Sequence, residues 1–283
     1  MVTLLRHSQE ETGSQRLGVA YRYGARVRLY YTSKAMLAQL LFTRVFESAT
    51  SLLRLVDSDP LPDTGRDVFD PPAVASLTRN LVEAHDAFWF ICVDKVSAAE
   101  STLRRAVWRI HYYREYANML EELKPDGYPF TGMFEAAAGE QHYKLGQNPA
   151  FKRLTPKQQR AVFEGRRRFL TEVRNADRAR VMKSQEAAAF YRLLSNHTHT
   201  TAFATWLTNP NRWPRALDSD YLIAACMIVA ASELAMATRS YVRRMRRFDG
   251  GRPQAWKWLE AVATQPISLQ ADDVAVKGAS SVT

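Results

Sequence analysis

Residues 221–248 read YLIAACMIVAASELAMATRSYVRRMRRF, and this stretch decides the fold. Its longest apolar run, Leu222 to Ser232, stops at Glu233. That is too short to cross a bilayer, which takes about 20 apolar residues, and suits a helix buried inside a protein. Asp218 or Asp220 supplies a start, and the DGG at 249–251 supplies the stop.

Working outward, the same helical reading holds along the chain. Met36, Leu37, Leu40, Leu41, Val45, Leu52 and Val56 recur at helical spacing and predict a helix over Lys34 to Val56. DSDPLPDTGRD at 57–67 breaks it, because proline cannot continue a helix. Asp70 before Pro71 and Pro72 marks the next start, with helices expected from about Ala73 to Lys95 and from about Ala98 to Leu123. KPDGYPF closes that pair, and a shorter helix follows from about Met133 to Leu145. Thr155 caps a helix that has Pro156 in its first position and is expected to reach about Val173. Further helices are expected over about Asp177 to Leu207 and in PQAWKWLEAVA at 253–263.

Long helices with mostly short links predict an all-α, up-and-down bundle of long helices with no sheet larger than a two-stranded ribbon. Residues 34–263 read as a single helical domain. Residues 1–33 are basic and tyrosine-rich and read as a loosely held arm, in which the alternation Val19, Tyr21, Tyr23 hints at a short strand. Residues 264–283 read as a polar, flexible tail.

Hydrophobic residues make up 46% of the chain and charged residues 24%, ordinary globular usage that favours a packed core over bulk disorder. The two cysteines, Cys92 and Cys226, sit in the apolar runs FWFICV and IAACMIV and are expected to be buried, reduced thiols. The first fifteen residues, MVTLLRHSQEETGSQ, lack the apolar segment of a secretory leader, so a cytoplasmic protein with no membrane partner is expected. Net charge is +10. The arginines gather in two groups: Arg166, Arg167, Arg168, Arg174, Arg178 and Arg180, then Arg239, Arg243, Arg244, Arg246 and Arg247. Each group reads either as a solvated helix face or as a surface for RNA or another acidic partner.

The usual catalytic signatures are missing. No glutamate has a histidine three residues on, which the di-iron helical bundles require. No glycine-rich phosphate loop and no G-x-S-x-G elbow occur, so no metal and no cofactor are expected. Two polar helix faces remain. In EAAAFYRLLSNHTHTTAFATWL, residues 186–207, a turn of about 100° per residue places Arg192, Ser195, Asn196 and His199 on one face. His197 falls on the other, with Phe190, Leu193 and Leu194, as a core histidine. Arginine and histidine on one face are the groups that hold a phosphodiester and move its proton, and a buried polar network that fixes helix register uses the same residues. In RRAVWRIHYYREY, residues 104–116, Arg104, Trp108 and His111 share one face and Arg105, Arg109 and Tyr112 another, with Glu115 in reach of Arg109 or His111. Arg109 and His111 are the candidate binding residues there.

The run YRLLSNHTH, residues 191–199, resembles the Y-R-x-L-S-x-x-x-H pattern of an uncharacterised all-helical bacterial family, a domain of unknown function numbered 5677. The resemblance covers about residues 34–248 and implies a helical fold with no assigned activity. The same run is similar to the Arg-x4–6-His signature of HEPN ribonucleases, helical and commonly homodimeric proteins of defence systems. That likeness implies metal-independent RNA cleavage, with Arg192 orienting the phosphate and His199 or His197 as the general acid and base. HEPN nucleases usually carry a polar residue after the arginine, where this chain has Leu193. Two function classes therefore stand: a non-enzymatic binding, scaffold or regulatory protein, and an HEPN-like endoribonuclease.

Overall fold

The computed structural model describes residues 34–56, 71–123, 131–171, 173, 175–198, 215–245 and 253–267. The expected arm at 1–33, most of the expected tail, and His199 lie outside the described residues. Of the described residues 87% are helical and none lies in a strand, which makes the structure the all-α bundle that the spacing predicts.

Among the described residues ten α-helices follow one another: α1 Lys34–Val56, α2 Pro71–Phe88, α3 Ala98–Leu123, α4 Thr131–Gly146, α5 Pro149–Lys152, α6 Pro156–Phe163, α7 Ala176–Val181, α8 Ser184–Thr198, α9 Arg215–Met245 and α10 Pro253–Thr264. The expected bounds of α1 and α3 hold. α2 passes into a π turn, Trp89–Val93, where the Asp94 amide reaches back to the Trp89 carbonyl. The Phe90 carbonyl finds a donor in Arg104, which also bonds Asp94 at 2.7 Å and Glu100 at 3.0 Å.

α1, α2, α8, α9 and α10 pack around one large apolar core. Leu37, Val45 and Leu52 turn into it from α1, whereas Leu40 points out. Cys92 and Cys226 are both free and buried, and burial pushes each thiol up to about 12. The segment Tyr221–Arg244 of α9 is long and apolar enough to cross a membrane, but Leu222, Ala225, Cys226, Val229 and Met236 are spent inside this core. A smaller core lies beside it. There Leu103, Val107 and Ile110 of α3 meet Leu145, Phe151 and Val162 of α4, α5 and α6.

Two expected helices come out shorter. The one that starts at Pro156, with Thr155 and Gln158 forming a capping box, ends at Phe163 rather than near Val173. Gly165 stops it at φ +66°, a backbone conformation that favours glycine. The Gly165 amide bonds the Val162 carbonyl and the Arg166 amide bonds the Ala161 carbonyl, the paired closure of a glycine-capped helix end. The helix expected from Asp177 is likewise split at Met182 and Lys183 into α7 and α8.

Candidate functional site

The glycine turn builds the site. It throws the chain back across α3, where Arg114 Cβ lies 2.6 Å from where a Cβ on Gly165 would stand. The Gly165 carbonyl accepts a hydrogen bond from His111 Nδ1 at 2.7 Å. A carbonyl only accepts, so Nδ1 carries the proton and the neutral ring keeps its lone pair on Nε2. Phe169 pins the other end of the turn, edge-on to Phe90 at 5.1 Å and against Trp108 at 5.5 Å between ring centroids. Arg166, Arg167 and Arg168 are thus held between two fixed points. With His111 and Phe169 they line a wide-open depression.

The three arginines differ in what they already hold. Arg166 pairs with Glu164 at 3.0 Å and Arg168 with Glu83 at 3.1 Å, both largely exposed. Arg167 is exposed and has no partner among the described residues. Burial would raise the Glu83 carboxyl, but the Tyr191 hydroxyl, donating at 2.7 Å, and Arg168 outweigh it and hold Glu83 below the usual range. Glu83 therefore stays ionised and ties the depression to α8. Elsewhere on α3, Arg105 donates to the Ser101 and Thr102 hydroxyls, and Arg109 Nε donates to the Arg105 carbonyl. Burial depresses both guanidiniums. Glu115 is exposed and pairs with neither Arg109 nor His111, contrary to the expectation from its spacing.

The two arginine groups do not survive as single surfaces. Arg178 sits inside the core. It donates through Nε and Nη2 to Glu233, the latter at 2.9 Å, and through Nη1 to Asp86 at 2.9 Å. Asn175 caps α7 through the Asp177 and Arg178 amides and donates to Asp86, which fixes Arg178 in place. Glu233 also meets His85 Nδ1, and neither side chain has any exposed surface. Burial would raise the Glu233 carboxyl, but Arg178 and His85 outweigh it and hold it down to about 2. In the second group Arg239 is buried between Asp177 and Glu260, and Arg243 bonds Glu260 at 2.6 Å. Arg174, Arg246 and Arg247 lie outside the described residues.

The YRLLSNHTH run divides along α8. Arg192 is exposed and Ser195 and Asn196 are half-buried. His197 is 5% exposed, buried with Phe190 and Leu194, and burial lowers its pKa. Arg192 and His197 therefore do not face one site. Of the candidate residues, the structure brings His111 to the Arg166–Arg168 group and leaves Arg192, Ser195, Asn196 and His197 apart from it. Gly165 is the residue whose meaning was missed. Its signal, FEGRRRF at 163–169, is a glycine at the end of a helical pattern.

No protein-family model, no curated protein and no solved structure matches this chain, so both family resemblances stand on YRLLSNHTH alone. Among the described residues, no group of three or more His, Cys, Asp or Glu side chains is placed to hold a metal ion.

Proposed function

We propose that this chain is a binding protein for a phosphate-bearing partner, RNA above all, which docks in the depression of His111 and Arg166–Arg168. The observation that carries the reading is Arg167. It is an exposed guanidinium without a carboxylate among the described residues, clamped between the Gly165 turn and the Phe169 anchor and flanked by two further arginines. A planar guanidinium offers paired donors to a phosphate, and a turn held at both ends loses little freedom on binding. His111, with Nδ1 committed to the Gly165 carbonyl, presents its ring to the same depression. The exposed arginines supply charge, and phosphate contacts release counterions, so affinity must fall steeply with salt.

Fluorescence anisotropy of a labelled RNA oligonucleotide tests this reading. Binding should weaken as salt rises. Arg167→Ala should lower affinity and reduce the slope of log affinity against log salt by about one. Arg54→Ala, an exposed arginine on α1, should leave both unchanged. Equal binding by Arg167→Ala and the unaltered chain would sink the proposal.

The exposure of Arg192 favours one second reading, the metal-independent endoribonuclease. With His197 buried on another face, that reading needs His199 as its acid and base. RNA cleavage in the presence of a chelator, lost in both Arg192→Ala and His199→Ala, would carry it. Binding without cleavage in all three proteins leaves the non-enzymatic reading.

A further inference from the structure

The π turn that follows α2 is touched by α1, α3 and α9. Three cations from those helices gather there: Lys34, the first residue of α1, Arg105, in the second turn of α3, and Arg244, in the last turn of α9. Cys92 of the turn marks the place. Its Sγ lies 3.9 Å from the Lys34 carbonyl, and Lys34, Arg244 and Arg105 are near enough for their charges to oppose the burial that raises its thiol. The three cations also act on one another. Burial first, then Arg244 and Arg105, lower the Lys34 ammonium, and burial, then Arg244, lowers the Arg105 guanidinium.

None of the three has a carboxylate among the described residues. Arg105 donates to two hydroxyls, which bring no charge, and its Nε is enclosed without an acceptor among the described residues. The acids that follow the π turn, Asp94 and Glu100, are both taken by Arg104. Arg243 pairs with Glu260, whereas its neighbour Arg244 does not. The negative end of the α9 dipole, about half a charge, balances part of Arg244, but Lys34 sits at the positive end of α1. In sequence, residues 12–33 lead into Lys34 with Arg16, Arg22, Arg26 and Arg28 and no Asp or Glu. Arg246 and Arg247 follow Arg244 before the first acid, Asp249. Like charges held together repel, and an anion that joins them removes the repulsion.

We propose that Lys34, Arg105 and Arg244 form a phosphate site at this end of the bundle, and that it takes a terminal phosphate, free or on a nucleotide, in preference to the diester of a nucleic-acid backbone. A terminal phosphate carries nearly two charges at neutral pH, where a diester carries one. Three cations with no acid between them match the doubly charged group. At Arg166–Arg168, by contrast, two of the three arginines already hold a glutamate. Arg105 and Arg244 offer planar forks of donors and Lys34 a compact charge, which together suit a tetrahedral group better than a flat carboxylate. The site shares no residue with the depression at His111, so it does not rest on the RNA-binding reading.

Reductive methylation of the full chain at mildly alkaline pH, read by peptide mass spectrometry, tests it. Only an unprotonated amine reacts, so a phosphate that shields Lys34 and holds its proton slows the reaction there. Uridine 5′-monophosphate should slow methylation of Lys34 by about tenfold or more and leave the exposed Lys257 unchanged. Inorganic phosphate acting equally well assigns the site to the free ion, and a stronger effect of the nucleotide assigns it to a nucleotide terminus. Arg244→Ala and Arg105→Gln, each checked for helicity by circular dichroism, should raise the concentration needed for protection by about tenfold. Arg54→Ala should not. Arg167→Ala should weaken RNA binding yet leave Lys34 protected, which separates this site from the depression. Lys34 methylation indifferent to millimolar monophosphate would overturn the proposal, as would equal slowing by uridine or by sodium chloride at the same ionic strength. So would an RNA oligonucleotide with a 5′-hydroxyl that protects Lys34 as well as its 5′-phosphorylated form.

Discussion

Two arginines only ten residues apart in sequence, Arg168 and Arg178, lie in regions governed by different physics. Arg178 is enclosed with Glu233, Asp86 and His85, and its donors are taken up by carboxylates. Arg168 and its neighbours Arg166 and Arg167 stand open to solvent around His111, with one weak pair each for two of them and none for Arg167 among the described residues. In the core, each charge is present because another compensates it, and removing one leaves the other stranded in a low-dielectric interior. At the rim, water already solvates the guanidiniums, so they add little to stability and remain available to a ligand. Within one arginine-rich stretch, Arg178 is therefore committed to the core, and the exposed Arg166–Arg168 are the members that the proposed RNA would meet.

The largest effect that tests this contrast is Glu233→Gln. It leaves buried His85 without its anion and Arg178 with Asp86 alone, and should cost about 3–5 kcal/mol, read by urea unfolding. A loss below about 1 kcal/mol would place Glu233 in the same class as the rim charges.

Acid comes next. Glu233 is held down to about 2, below the ordinary carboxylate range, so its stabilisation is complete above about 4.5 and is lost as pH falls toward 2. Burial also lowers the pKa of His197 and His142, so their share is complete above about 6.5 and declines below it. Melting temperature should therefore drop in two stages, one below about pH 6.5 and a larger one below about pH 4.5. A melting temperature flat from pH 7 to pH 3 would contradict the compensated core.

Gly165→Ala joins the two regions. Its positive φ and the Arg114 side chain both oppose a methyl group. The expected loss is about 1 kcal/mol or more, accompanied by weaker RNA binding as Arg166–Arg168 shift. Unchanged binding in a destabilised variant would separate the turn from the site. The smallest effect on stability belongs to Arg167→Ala, expected within about 0.5 kcal/mol of the unaltered chain while its salt-dependent binding falls. A large loss of stability there would show that the rim arginine is structural after all.

Much of the fold was legible because it is written locally. The apolar spacing of α1 and α3 gave their bounds, and Thr155 with Pro156 marked the start of α6. The end of α6 was legible too, in Gly165, but the helical pattern on both sides masked the stop. The candidate site was only half visible. His111 and the Arg166–Arg168 group each stood out, but 54 residues separate the His111 ring from the Gly165 carbonyl that links them. Helical spacing already set Arg192 and His197 on different faces of their helix. On the folded helix, one is exposed and the other buried.

What the sequence by itself determined is the helical class, the burial of Cys92 and Cys226, and an excess of arginine over acid. These follow from side-chain periodicity and composition, which act over one or two turns. Only the tertiary structure decided which arginines are spent and which are free. Arg178 finds Glu233 across 55 residues and Asp86 across 92, and no local pattern foretells either meeting. A buried charge must find its partner wherever the packing brings one, whereas an exposed charge is satisfied by water. The same residue type therefore takes opposite roles according to contacts that exist only after the helices have packed.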